Sequence, residues 1–187
     1  MCIRDRAHSY LSREHTSSST LPERAWDDTV KDALPLEAFA NTYANAGYGS
    51  FTFCAPSNTS PSNTSDYCKS VVSTFQAVNS TVTEGPVLLG RWPRIWGEYV
   101  QARRIQNGNR FVLDIADLYP EGYGLDKTPF ERSQLPGGSE DGPYAEFVVE
   151  DGKVVGLGMS GFIGEETERQ RVGKTVEERA EVWFHRV

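Results

Sequence analysis

Two cysteines and three glycosylation sequons are the most chemically informative residues of this chain. Cys54 and Cys68 bracket a loop rich in Ser, Thr, Asn and Pro. A disulfide between them would close a loop of about 15 residues. The glycan acceptor pattern Asn-x-Ser/Thr occurs at Asn58, Asn63 and Asn79. Both features are typical of the oxidising secretory pathway, so we predict a disulfide, three glycans and an extracellular, secreted protein.

Two alternatives bear on this loop. The two cysteines could be reduced thiols in a cytosolic Ser-rich segment, which an intact mass with and without reduction would decide. If they are bridged, we interpret the loop between them as the tip of a β-hairpin, solubilised by its glycans and protected from proteases, rather than as the place where function resides.

The segment "GLGMSG", Gly156 to Gly161, matches the Gly-x-Gly-x-x-Gly fingerprint of dinucleotide-binding folds. That fingerprint needs a parallel βαβ unit and a helix that begins at the glycines. Here a tight hairpin precedes the segment, and the chain ends soon afterwards in a strand-like pattern. We therefore interpret the glycines as part of a curved strand or a bulge, and we predict no cofactor.

Motifs for nucleophilic and metal catalysis do not occur in the sequence. Neither Ser-x-x-Lys nor Gly-x-Ser-x-Gly is present. The histidines His8, His15 and His185 lack the spacing of a His-Glu-x-x-His metal site. We interpret His185 as a partly buried structural residue, and Glu146 and Glu150 as a solvated strand face rather than a catalytic carboxylate pair. The sequence thus predicts no catalytic residue and no metal ligand in this chain.

A set of aromatic residues could line a ligand cavity or a sugar platform. Core packing is the commoner use of such rings and is the alternative for every member of the set. The candidates are Trp92, Trp96, Tyr99, Tyr119 and Tyr123.

Composition limits the partners that the chain can have. Its 187 residues, 38% of them hydrophobic, can bury one core of ordinary size. A net charge of -7 argues against nucleic acid as a partner, because nucleic-acid binding needs a basic surface. No apolar stretch approaches the roughly 20 residues of a membrane span.

Short segments of alternating polarity, separated by Gly, Pro, Asn and Asp, indicate how these residues are positioned. They predict an all-β fold, an antiparallel lipocalin-like barrel or sandwich of about eight strands. The dipeptide Asp151-Gly152 favours a type I′ turn, so residues 145–150 and 153–159 are predicted to pair. The strand-like segments are "YGSFTFC", "SVVSTFQAV", "PVLLGRW", "RIWGEYVQARRI", "NRFVLDIADLY", "AEFVVEDGKVVGLGM" and "RAEVWFHRV".

The N-terminal part has a different character. Residues 1–6, "MCIRDR", look like the translation of a sequencing-library adapter, and we exclude them from fold reasoning as an adapter-derived scar. Residues 7–34 are predicted to form a polar tether with a short helix, "LPERAWDDTVKDAL". We expect this tether to connect a missing N-terminal domain to a C-terminal β domain, residues 35–187.

Residues 35–187 resemble the C-terminal domain of fungal β-lactamase-related serine hydrolases, of the β-lactamase/transpeptidase-like family. The strongest similarities are a Tyr-x-Asn-x-Gly-Tyr-Gly pattern, residues 43–49, and a closing Ala-Glu-Val-Trp-Phe strand, residues 180–184. Asn41 departs from the family pattern, which often has glycine there. The resemblance implies a secreted protein whose N-terminal domain carries a catalytic Ser-x-x-Lys, followed by a lipocalin-like β domain. No catalytic residue of the family has a matching position in this chain.

Three hypotheses for function follow. The first is a non-catalytic accessory β domain that acts in cis with the serine hydrolase domain and stabilises it or gates access to its active site. The second is a lipocalin-like module whose barrel mouth binds a lipid, a peptide or a glycan. The third is a free-standing lipocalin-like carrier, which would need a signal peptide directly before the barrel.

Overall fold

The computed structural model describes residues 34–56, 65–94, 97–105, 108–123, 127–132, 142–162 and 174–187. Several predicted features lie outside these ranges. They are the scar, the tether and the N-terminal helix, the sequons Asn58 and Asn63, and Trp96.

Strands are the dominant elements of the described chain, with three short or medium helices. The strands are β1 Thr42–Asn45, β2 Gly49–Cys54, β3 Val87–Arg94, β4 Gly97–Arg104, β5 Arg110–Leu118, β6 Phe130–Arg132, β7 Tyr144–Glu150, β8 Lys153–Ser160 and β9 Val182–Arg186. A 3-10 helix spans Leu36–Phe39, and the α-helices are α1, Asp66–Val78, and α2, Val176–Arg179.

The strands form a closed antiparallel barrel of eight strands. Each strand pairs with the next around the barrel in the order β1-β2-β3-β4-β5-β7-β8-β9, and β9 pairs with β1 to close it. The short strand β6 pairs with the second half of β5, outside the closed circle. The all-β prediction is confirmed, and of its two forms the chain adopts the barrel, which leaves few unpaired strand edges.

The β7–β8 hairpin forms where the sequence predicts it. Asp151 and Gly152 both have positive φ values, 49° and 73°, as a type I′ turn requires. Glu150 faces Lys153 across the turn, and the pairing continues to Tyr144 opposite Ser160. A register shift at Val148 and Val149 marks a bulge in this hairpin.

Aromatic side chains fill the interior of the barrel. Strand residues of alternating position, such as Phe51, Phe53 and Phe147, are at most 3% exposed. The 3-10 helix contributes Phe39, whose ring centroid lies 5.3 Å from that of Phe111 and 5.1 Å from that of Phe147. The interior is therefore a packed core built mostly from rings.

The segment "SVVSTFQAV" is a helix, so its prediction as a strand was wrong. Helix α1 begins after Ser65, whose side chain accepts a hydrogen bond from the backbone of Cys68. Its buried positions, Cys68, Val71 and Phe75, are three and four residues apart, which places them on one helical face. This face packs on the outer surface of the barrel against Val87 and Leu89 of β3 and forms a second core. The spacing of the apolar residues in the segment is that of a helix, not of a strand.

Candidate functional site

The predicted disulfide is present. Cys54 and Cys68 are bonded, with their Cα atoms 5.5 Å apart, and both residues are at most 1% exposed. Cys54 ends β2, whereas Cys68 lies in the first turn of α1. The bridge thus attaches the outer helix to the barrel wall, and the interpretation of the loop as a hairpin tip was wrong. A bridged pair fits an oxidising environment.

Asn79, the one sequon within the described ranges, lies directly after the last residue of α1. Its backbone N–H donates to Phe75 O, and its side chain is exposed. The side-chain Oδ1 accepts hydrogen bonds from the backbone N–H of Thr81 at 3.0 Å and from the Thr81 hydroxyl at 2.9 Å. The acceptor Asn and the Thr of its own sequon are therefore held together in an Asx-turn at the surface.

A groove next to Asn79 lies on the outside of the barrel. The C-terminal end of α1 forms one wall, and the outer faces of β4, β5 and β6 form the other. Its volume is about 70 Å³. Its lining consists of Phe75, Val78, Asn79, Val82, Gln101, Asp114, Ala116, Leu118, Phe130 and Arg132. We call it the α1 groove.

Polar groups lie along one side of the α1 groove. Arg132 Nε is 3.2 Å from Asp114 Oδ2, and its guanidinium carbon lies 5.6 Å from the centre of the Phe130 ring. Burial raises the pKa of Asp114, with the charges of Arg132 and Arg103 opposing that effect. Phe130 is 40% exposed, which is high for an aromatic side chain. The groove thus combines an accessible ring, an ion pair and the Gln101 amide.

The predicted ligand-lining aromatics lie in three different places. Trp92 belongs to the barrel core, and its indole N–H donates to Tyr48 O at 3.2 Å. Tyr99 packs on the opposite face of the sheet, with its ring 5.6 Å from that of Phe75 beneath α1. Tyr119 and Tyr123 contact each other at 4.8 Å, and Tyr123 is 59% exposed. The structure does not bring these four into one site.

The glycines of "GLGMSG" permit close packing on the outside of β8. A Cβ at Gly156 would lie 2.4 Å from Cζ2 of Trp183 and 2.6 Å from the Phe184 carbonyl oxygen. A Cβ at Gly158 would lie 2.7 Å from that of Ala180, next to α2. All three distances are shorter than real Cβ contacts, so these positions need glycine for steric reasons. The segment lies in an antiparallel strand, in line with the interpretation as a strand rather than a nucleotide loop.

Two of the remaining titratable candidates, His185 and Glu146, have structural partners, whereas Glu150 is exposed at the end of β7. His185 is exposed, not partly buried, and its Nδ1 accepts from the indole N–H of Trp183 at 3.3 Å. Glu146 pairs with Arg110 of β5 and with Arg179 of α2. It is therefore the centre of an ion-pair cluster that attaches α2 to the barrel, not part of a solvated face.

The two patterns that carry the family resemblance meet in the structure. Asn45 Oδ1 accepts from the backbone of Gly47 and Tyr48, which forms the β1–β2 turn, and its Nδ2 donates to Trp183 O at 2.8 Å. Tyr43 donates from its hydroxyl to Phe39 O at 2.8 Å, and burial raises its pKa. Asn41, the departure from the pattern, donates to Ala38 O and so supports the same end of the barrel.

No protein-family model, curated protein or solved structure matches the chain in the comparisons with known proteins. Within the described ranges, no group of three or more His, Cys, Asp or Glu residues could hold a metal ion. No helix in those ranges is both long and apolar enough to cross a lipid bilayer.

The α1 groove was not predicted from the sequence. Its walls come from four separate elements, and one of them, α1, was predicted as a strand. A helical interpretation of residues 66–78 would have shown that Asn79 ends a helix, but not which strands lie opposite.

Proposed function

We propose that this chain is the non-catalytic accessory β domain of a secreted β-lactamase-related serine hydrolase, acting in cis to stabilise or gate the catalytic domain. The observation that carries the proposal is the packed barrel interior. Rings of Tyr43, Phe51 and Phe147 occupy the space in which a carrier barrel holds its ligand. A solid barrel is suited to act as a rigid support.

The resemblance patterns add a second line of support. The Asn45 contact with Trp183 joins the first pattern to the second, and the ring of Tyr48 lies 6.4 Å from that of Phe184. These residues therefore connect the β1–β2 turn to β9. Residues that maintain a fold in this way are expected in a domain whose role is structural.

The test of this proposal has two parts. The purified chain should hydrolyse neither nitrocefin nor p-nitrophenyl esters above background, and turnover removed by a point mutation would overturn the proposal. The upstream reading frame should encode a Ser-x-x-Lys, and the recovered enzyme should lose thermal stability or change its KM when residues 35–187 are deleted. An unaltered truncated enzyme would refute the accessory role.

Glycans in the Cys54–Cys68 loop belong to the same proposal. Replacing Asn58 and Asn63 by Gln should lower the secretion yield and leave the activity of the recovered enzyme unchanged, because the loop serves solubility. Lost activity at unchanged yield would assign the loop a functional role instead.

The second candidate function is a ligand-binding module, and the α1 groove is the observation that favours it. The groove is open, lies outside the barrel and combines the exposed Phe130 ring with the ion pair of Asp114 and Arg132. A ligand that binds only the folded chain raises its Tm by mass action, so a thermal-shift screen with lipids, peptides and sugars separates a binder from a passive support.

A further inference from the structure

We propose that the α1 groove is a carbohydrate subsite that receives the first N-acetylglucosamine of the chain's own glycan on Asn79. This inference rests on the proposed secretory origin of the protein. It assigns a defined occupant to the groove and a structural role to one of the three sequons.

The position of Asn79 is the first argument. Asn79 itself lines the groove, beside Val78 and Val82. Two donors from Thr81 hold its Oδ1, and within the described part of the chain no residue accepts a hydrogen bond from its Nδ2. A sugar attached to Nδ2 therefore begins at the rim of the groove and needs no linker to reach it.

The chemistry of the lining is the second argument. An N-acetylhexosamine has one face of C–H groups and an edge of hydroxyl and acetamide groups. The groove presents a matching pair of surfaces, with the rings of Phe75 and Phe130 on the apolar side. On the polar side, the carboxylate of Asp114 can accept from a sugar hydroxyl, and the guanidinium of Arg132 can donate to the acetamide oxygen.

The size of the groove limits it to the first sugar. A volume of about 70 Å³ has room for several water-sized groups, such as an acetamide and one edge of a ring. The remainder of the glycan would extend into solvent. Covalent attachment makes the contact intramolecular, so even a weak interaction is populated.

Attachment uses a donor that the cell supplies, a polyprenyl-diphosphate-linked oligosaccharide, and a host oligosaccharyltransferase. A bond forms between Nδ2 of Asn79 and the anomeric carbon of the first sugar, while the bond from that carbon to the diphosphate oxygen breaks. The diphosphate leaves with the electron pair, and Nδ2 gives up one proton to a base. No oxidant or reductant is needed.

The experiment isolates this glycan by removing the other two acceptors. The chain carrying Asn58→Gln and Asn63→Gln is secreted from a eukaryotic host with high-mannose glycans and trimmed with endoglycosidase H to a single sugar. Its partner is the same double variant exported to the bacterial periplasm, where no glycan is attached and Asn79 keeps its hydrogen bonds with Thr81. If the double variant is not secreted, the wild-type chain from the two hosts is compared, and the groove variants below identify the share of the Tm difference that comes from Asn79. We expect the trimmed protein to have a Tm about 2–4 °C higher, the size of one good contact in a domain of this length.

Substitutions in the α1 groove distinguish a sugar that contacts the groove from one that is bonded to Asn79 but extends into solvent. Phe130→Ala, at an exposed strand, and Gln101→Ala should each reduce or abolish the Tm gain from the sugar. In the ¹H NMR spectrum, the acetyl methyl of the trimmed sugar should shift upfield through the ring current of Phe130, and this shift should vanish in Phe130→Ala.

Three results would overturn the subsite. Glycopeptide mass spectrometry could find Asn79 bare while Asn58 and Asn63 are modified, which leaves the proposed secretory origin intact. Alternatively, Asn79 could carry its glycan with an unshifted methyl signal and a Tm gain that persists in both groove variants. Three bare sequons would refute the secretory origin and the subsite together, without bearing on the assays of the recovered enzyme.

Discussion

Gly156→Ala should destabilise the barrel, although it adds one methyl group to a strand. The new Cβ would lie 2.6 Å from the Phe184 carbonyl oxygen, a backbone atom that cannot rotate away, and 2.4 Å from the Trp183 ring. Overpacking of this kind costs about 1–3 kcal/mol. The lower entropy of the unfolded chain with alanine offsets about 0.4–1 kcal/mol of that cost.

The net expectation is a loss of about 1–2 kcal/mol in the free energy of unfolding, measured by urea denaturation. At about 2–4 °C per kcal/mol, this corresponds to a Tm decrease of about 2–8 °C. The matched control is Gly47→Ala, whose Cβ would meet only Asn45 Oδ1 at the ordinary distance of 3.5 Å. We expect that control to lie within about 0.5 kcal/mol of the wild type.

A Gly156→Ala variant as stable as Gly47→Ala would refute the steric explanation of these glycines. The comparison also tests the dinucleotide interpretation of "GLGMSG". A phosphate-binding glycine would lose ligand affinity on substitution, whereas a close-packed glycine loses stability in the absence of any ligand.

Three further predictions concern the disulfide, the barrel core and the groove. Replacing both Cys54 and Cys68 by Ala should lower the free energy of unfolding by about 3 kcal/mol, measured with urea, and an unchanged value would contradict the chain-entropy argument. Tyr43→Phe should cost about 0.5–1.5 kcal/mol by the same measurement, because it removes one of the two donors to the Phe39 carbonyl, which keeps its bond from the Asn41 N–H; a cost near zero would mean that the hydroxyl contributes no net stability. Burial raises the pKa of Asp114 in the folded state, so the folded state holds the proton more tightly than the unfolded state does. The free energy of unfolding therefore decreases as the pH rises from the unfolded pKa to the folded pKa. Asp114→Asn should therefore be at least as stable as the wild type at pH 7, with the difference shrinking below the ordinary aspartate pKa of 3.8, whereas a variant less stable than the wild type at pH 7 would show that the ion pair with Arg132 dominates.

Local signals in the sequence predicted the elements that local chemistry determines. Asp151-Gly152 needs two positive φ values, and few dipeptides accept them, so the hairpin could be located to the residue. Alternation along β2 and β5 likewise predicted strands, because one face of each is buried in the barrel.

The same rule was misapplied to residues 70–78. Val71 and Phe75 are four residues apart and fit a helical face, whereas the Val, Thr and Phe residues of the segment are of types that are common in strands. The choice is made by the capping Ser65 and by burial against Val87 and Leu89, which are distant in sequence. Strand β6 has only three residues, all exposed, and offered no hydrophobic pattern to detect.

The disulfide, which was predicted from the sequence, and the α1 groove, which was not, lie at the two ends of helix α1. The disulfide fixes the first turn of α1 to the end of β2, and the last turn of the same helix forms a wall of the α1 groove. The ring-filled barrel interior is formed by a separate cluster of side chains, so the barrel does not depend on this helix for its core. Loss of the bridge should consequently widen or disorder the groove before it unfolds the barrel. The bridge thus constrains the position of α1 and, with it, one wall of the α1 groove.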